Sequence, residues 1–156
     1  MGVTVRYIME RDFVTLRPWN SIAQAAEAFE KATAKRGHRT FGLVVTDDNG
    51  YLMGILSLYD VLNLLRPKYI HIWGEMLDVD ITGFFEEACR RAKRMQVGDI
   101  MTVDVVSVTQ DAHLLMVVDL MIKKHVRRVP VVEDNRVLGI VYASAVFYKL
   151  MELFRD

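Results

Sequence analysis

The chain has 156 residues, and its twenty basic residues balance twenty acidic ones at a formal net charge of zero. That balance argues against the basic excess on which sequence-independent nucleic-acid binding rests, and 52% apolar with 26% charged residues is a folded composition, not a disordered one. A lone cysteine, Cys89, excludes an internal disulfide and fits a reducing compartment; no run reaches the ~18 apolar residues of a membrane span, so a cytoplasmic location is expected.

In chain order, Val5-Arg6-Tyr7-Ile8-Met9 opens the first unit, and Phe13 to Leu16 reads as a short strand ended by Pro18. Ser21-Ile22-Ala23-Gln24 is a capping box that starts a helix, because serine and glutamine satisfy the exposed backbone donors reciprocally. Ile22, Ala25, Ala26 and Phe29 give that helix one apolar face. Phe41 to Thr46 is a buried strand, Asp47-Asp48-Asn49-Gly50 a turn, and Tyr51 to Leu56 the hairpin partner. A helix follows through Val61, Leu62 and Leu65, stopped by Pro67.

The second unit repeats this order from Val97-Gly98-Asp99-Ile100-Met101. Val105 to Val108 is a strand, Asp111 is placed to cap the next helix, and Leu114, Leu115, Val118, Met121 and Ile122 form that helix's apolar face. Val129 to Val132, the turn Glu133-Asp134-Asn135-Arg136 and Val137 to Val141 make the second hairpin. A final helix carries Val146, Phe147, Leu150, Met151 and Phe154. Strand, helix, strand, strand, helix therefore occurs twice, which implies two units related by a pseudo-two-fold with any ligand near their seam.

The expected division is residues 1–66 for the first repeat, 67–96 for a helical connection and 97–156 for the second repeat. The connection places Ile70, Ile72, Trp73 and Met76 before Ile81, Phe84, Phe85, Ala88, Cys89 and Ala92, so it reads as a helix packed on the body or across a subunit interface. Its basic cluster, Arg90, Arg91, Lys93 and Arg94, reads as a solvated face, and Cys89 as a buried structural thiol. His38, His71, His113 and His125 have no metal-ligand spacing with each other or with Cys89, so no metal is expected. No phosphate-binding glycine loop or nucleophile motif occurs, so the chain is not expected to be an enzyme.

Both units resemble the CBS (cystathionine β-synthase-type) domain. The resemblance rests on Asp99-Ile100-Met101-Thr102, Arg128-Val129-Pro130-Val131-Val132 and Gly139-Ile140-Val141 in the second copy. In the first it rests on Tyr7-Ile8-Met9 and Gly54-Ile55-Leu56-Ser57-Leu58-Tyr59-Asp60. It implies an α+β fold in which two pseudo-symmetric β-α-β-β-α repeats pack into one Bateman module. It further implies a homodimer, and an adenosine-containing regulatory ligand (AMP, ADP, ATP or S-adenosylmethionine) between the repeats, with no cofactor required.

The family's ligand motif is matched by Gly54, Ile55, Ser57 and Asp60. The start of the helix at Ser57 offers backbone N–H groups to a phosphate, and a carboxylate at Asp60 can accept from both ribose hydroxyls. Adenine would lie between apolar strand edges, touching the backbone of Ile55. Ser57 to Asp60 is equally a capping box that needs no ligand, and the two roles are compatible. The resemblance also points to Arg127 and Arg128 as phosphate ligands, with Lys124 and His125 one turn away and Thr40 and Phe41 as the first-copy counterparts. By the same comparison Asp111 and Met116 would flank the adenine. In the second copy Tyr142 replaces the serine and Ala145 the aspartate, so at most one good site per chain is expected. The implied function is a stand-alone energy or metabolite sensor that signals to a separate protein. The alternative is a constitutive dimerisation scaffold with a vestigial cleft. Neither reading involves nucleic acid or a membrane.

Overall fold

The structure is a computed structural model that describes residues 3–66 and 81–156. The residues expected to open the connection, Ile70, Ile72, Trp73 and Met76, lie outside the described residues.

In the first repeat, β1 (Thr15–Leu16) pairs parallel with β2 (Gly42–Thr46), and β2 pairs antiparallel with β3 (Leu52–Ser57). Helix α1 (Ile22–Arg36) joins β1 to β2, and α2 (Leu58–Leu65) follows β3. Next come α3 (Ile81–Ala92) and the single turn α4 (Val97–Ile100). In the second repeat α5 (Leu114–Lys124) precedes the hairpin of β4 (Arg128–Glu133) and β5 (Arg136–Tyr142), and α6 (Ala143–Arg155) ends the chain. The expected strand at Val105–Val108 shrinks to one parallel bridge, Val108 to Val131, the counterpart of the β1–β2 pairing.

Local chemistry accounts for most of these boundaries. Ser21 caps α1 as the spacing predicts: its Oγ accepts from the Gln24 N–H at 3.1 Å, and the Gln24 side chain accepts from the Ser21 N–H at 2.8 Å. The first hairpin turns on Asp47, whose carboxylate accepts from the N–H groups of Asn49 and Tyr51, with Gly50 at φ 86°. The second turns on Asp134 and Asn135, both left-handed at φ 51° and 65°, as a two-residue hairpin loop requires. Asp111 does not cap α5. Its carboxylate is drawn off by Arg6 at 2.7 Å, the helix starts two residues later, and the imidazole of His113 accepts from the Leu115 N–H.

The repeats exchange their opening segments. Val5 and Met9, from the start of the chain, are buried in the core of the second repeat with Val117, Val129, Val131 and Val141. Val97 is buried in the core of the first repeat with Leu16, Leu43, Val45 and Leu56, and Ile100 and Met101 pack against it. The hydrogen bonds obey the same two-fold: Val5 N–H to Ala112 O and Arg6 N–H to Gln110 O answer Val97 N–H to Asn20 O and Gly98 N–H to Pro18 O. A third cluster, Val44, Ile55, Ile140 and Tyr142, fills the seam between repeats. The hairpin tips close over it, with Leu52 N–H donating to Asn135 O and Val137 N–H to Gly50 O.

The expected apolar face of α5 is narrower than drawn. Leu115 and Ile122 are exposed; the expected Leu114, Val118 and Met121 do face the core, and Val117 joins them on the stripe of a 3.6-residue helix. Cys89 is half-buried rather than buried. Helix α3 lies against α2, buries Ala88 and Ala92, and turns Arg90 and Arg91 outward to pair with Glu87.

Candidate functional site

Each repeat contributes one wall to a cavity of about 540 Å³ at the seam. The first repeat supplies Phe41, Ile55, Ser57, Leu58 and Tyr59, from the ends of β2 and β3 and the start of α2. The second supplies Thr102, Asp104, Val105 and Val106 from the stretch after α4, and Lys124 through Arg128 from the end of α5 into β4. The first repeat's wall is therefore mostly apolar around Ser57, and the second repeat's wall carries Lys124, His125, Arg127 and Arg128 together with Asp104 and the apolar Val105, Val106 and Val126.

The β3–α2 junction is organised by Asp60. Its Oδ2 accepts from the Ser57 N–H at 2.9 Å and from the Ser57 hydroxyl at 3.0 Å. The Thr102 hydroxyl, from the other repeat, donates to the same carboxylate at 3.1 Å. Asp60 thus joins the repeats across the cavity wall without any ligand, and a carboxylate retains acceptor capacity beyond these bonds. The Leu58 N–H already donates to Phe41 O, so the N–H groups of Ser57 and Leu58 are both spent and neither is open to a phosphate. The positive groups facing the cavity are instead side chains of the second repeat.

Gly54 earns its place beside this junction by close approach. A Cβ there would stand 2.6 Å from the Thr102 carbonyl oxygen. That contact exists because Ile55 and Thr102 exchange two backbone hydrogen bonds of 2.9 Å. The Ile55 N–H is therefore not available to an adenine.

Arg128 lies half-buried with its guanidinium in the space a side chain at Gly42 would take. Its Nε is buried and, among the described residues, has no hydrogen-bond partner. Burial lowers its pKa from the ordinary value; Tyr142 opposes that shift, and Arg127 and Arg36 add to it. Among the described residues neither Lys124 nor Arg127 has a carboxylate in salt-bridge range. The strand registers, Gly42 opposite Ser57 and Arg128 opposite Tyr142, make Gly42 the counterpart of Arg128 and Phe41 that of Arg127. This moves the expected pairing with Thr40 and Phe41 by one residue.

The structure brings Ser57, Ile55, Arg127 and Arg128 to the cavity, with Gly54 and Asp60 bonded or packed directly behind it. It does not bring Asp111 or Met116 there. Asp111 is held by Arg6, and Met116 is exposed on α5 outside the cavity lining. Thr102, Asp104 and Phe41 have no sequence signal as site residues beyond the position of Thr102 in a repeated motif, since the fold alone carries them to the wall.

The related cleft on the other side is closed. Tyr142 stands where Ser57 stands in the open one, and among the described residues the cavity between Phe13, Arg36, Leu43 and Tyr142 measures about 10 Å³. Burial raises the Tyr142 pKa above its ordinary value.

The CBS domain model matches residues 5–67 and again 97–152, which together make up most of the chain. The chain belongs to the CBS domain family. Among curated proteins, the uncharacterized protein MJ1225 of Methanocaldococcus jannaschii is 29% identical over 147 residues. That match covers 94% of this chain and 42% of the relative, so the chain spans well under half of that protein's length. Among solved structures, the CBS-pair protein CBSX2 of Arabidopsis thaliana superposes with a TM-score of 0.73 at 24% identity, over 100% of this chain and 99% of that one. A structure of CBSX2 in complex with AMP gives a TM-score of 0.70 at 24% identity over 97% of this chain and 98% of that chain. The cytosolic domain of the Mg2+ channel MgtE in complex with ATP gives 0.65 at 24% identity, over 91% of this chain and 46% of that one. At these identities the structures establish the shared fold: a mixed α/β CBS pair of two repeats.

Proposed function

We propose that this CBS pair is a regulatory binding module that takes an adenosine-containing ligand, of the class AMP, ADP, ATP or S-adenosylmethionine, in the open cleft and signals its presence to a separate protein. The observation that carries the reading is the cavity itself, lined by apolar side chains of both repeats and by Lys124, Arg127 and Arg128, with the Asp60 carboxylate bonded directly behind its Ser57 and Thr102 wall. Ile55, Val105, Val106 and Val126 offer flat apolar contact to a base. Asp60 accepts from the ribose hydroxyls, and Thr102 is the donor they displace. Lys124, Arg127 and Arg128, which line the cavity, reach toward phosphate. The related CBS pairs crystallised with AMP and with ATP support this class of ligand.

The role is regulatory rather than catalytic, as suits a CBS pair. Among the described residues no cluster of acids, histidines and cysteine could hold a metal, and no helix is long and apolar enough to cross a membrane. The module pairs with a second copy of itself through the exposed Tyr59 and Leu62 of α2 and Phe147 and Phe154 of α6, apolar side chains that a lone chain leaves in water.

A thermal-shift screen of the chain and Asp60→Ala against AMP, ADP, ATP and S-adenosylmethionine tests the reading. A ligand at a hundred times its Kd adds about 2.7 kcal/mol, which for a chain of this size raises Tm by roughly 5–11 °C. That rise is expected for at least one ligand and is expected to vanish in Asp60→Ala. No rise for any of the four, with the dimer intact, would leave the constitutive scaffold as the function.

A further inference from the structure

The two clefts are copies of one another, so every difference between them is informative. Behind each runs the same backbone bridge. Glu10 and Ile140 exchange bonds of 2.8 and 2.9 Å on the closed side; Thr102 and Ile55 exchange bonds of 2.9 Å on the open side. The side chains around these bridges differ. Helices α1 and α5 both end on a left-handed residue, Gly37 at φ 80° and His125 at φ 53°, which makes Arg36 the counterpart of Lys124.

On the closed side Arg36 is attached three ways. Its Nε donates to the Glu10 carboxylate at 3.1 Å, its Nη1 to the Thr40 hydroxyl at 3.2 Å, and its guanidinium lies over the Tyr142 ring at 3.7 Å. The Arg36 side chain is only 12% exposed, so these contacts are weakly screened. The Glu10 and Tyr142 contacts tie the body of the first repeat, through α1, to β5 of the second and to the Glu10 segment docked on it, and the Thr40 bond steadies the guanidinium from its own repeat. On the open side, among the described residues, the counterpart Lys124 has no carboxylate in salt-bridge range, and the exposed Thr102 hydroxyl reaches Asp60 across the seam.

We infer that the CBS pair hinges on one side: the Arg36–Glu10–Tyr142 clasp holds the closed cleft shut, and the repeats part at the Thr102–Asp60 edge. Tyr142 and Arg36 together fill the cleft that the repeat would otherwise have opened, so the clasp does more than replace a lost ribose ligand. Any molecule seated in the open cleft then spans the edge that parts, and its presence is converted into an angle between the repeats. This inference goes beyond the ligand reading and does not depend on it, because the asymmetry exists in the free chain.

Amide hydrogen exchange on the ligand-free chain tests it, with the two bridges as mutual controls in one molecule. Glu10 and Ile140 amides are expected to show protection factors at least about tenfold above those of Ile55 and Thr102, the ratio set by one charged hydrogen bond plus a cation–π contact. In Arg36→Met the ratio is expected to fall to within about threefold, whereas a uniform loss of stability would lower all four together and leave the ratio unchanged. Arg36→Lys keeps the charge but loses the flat stacking surface, and is expected to fall between the two; it also serves if the methionine variant does not fold. Equal protection of both bridges in the parent chain would overturn the inference. So would a ratio that neither substitution moves.

Discussion

Replacing Gly139 by valine is expected to cost the fold about 3 kcal/mol and to lower Tm by roughly 6–12 °C. The reason lies in the exchange of opening segments. A Cβ at Gly139 would stand 2.8 Å from the Glu10 carbonyl oxygen and 3.3 Å from the Met9 side chain, which is the first-repeat segment lying on the second repeat's strand. The closest neighbour is backbone, locked by the Glu10–Ile140 bridge, so it cannot swing aside as a side-chain tip would. A branched residue must either break both bridge bonds or push Met9 out of the core. Exposed Met53, on the other hairpin, is the control: Met53→Val is expected to stay within about 0.5 kcal/mol of the parent. Thermal unfolding of the two variants side by side checks this, and equal midpoints would mean that the exchanged segment is not docked as described.

Leu56→Ala is expected to be of similar size for a different reason. Leu56 is fully buried on β3 with Leu16, Leu43, Val45 and Val97, so it shares one core with the exchanged segment of the second repeat as well as with its own sheet. Truncation loses the transfer energy of three carbons and leaves a cavity between the strands and α1, at a cost of about 3 kcal/mol. The neighbouring Ile55 and Ser57 belong to the open cleft, so a loosened β3 is expected to weaken ligand binding as well as stability. Urea unfolding of Leu56→Ala, with an unchanged slope and a midpoint lowered in proportion, is the expected result. A change below about 1 kcal/mol would contradict the core assignment.

The repeat, both hairpins and most of the helices are legible in the sequence because their signals are local. Ser21 and Gln24 are three residues apart, and Asp47 and Gly50 define their turn among themselves. The Ser57–Asp60 junction is legible for the same reason. What is not legible depends on partners about a hundred positions away. Nothing local places Val5 beside Val117, or lets Arg6 take Asp111 away from the start of α5. Arg36 is hidden by a register change: α1 has 15 residues and α5 has 11, so a constant offset between the repeats pairs it with the wrong residue. Only the two left-handed caps align Arg36 with Lys124 and expose the clasp. The same slippage, continued into β4, misaligns Arg127 and Arg128 by one position.

The central claim is that one of two related clefts is open and takes an adenosine-containing ligand while the other is filled by the chain itself. Calorimetric titration with AMP, ATP and S-adenosylmethionine, counted per chain, tests it most directly. The account predicts one ligand per chain for whichever member binds, with Asp60→Ala abolishing that binding rather than halving it. Two ligands per chain, or binding that survives Asp60→Ala, would contradict it.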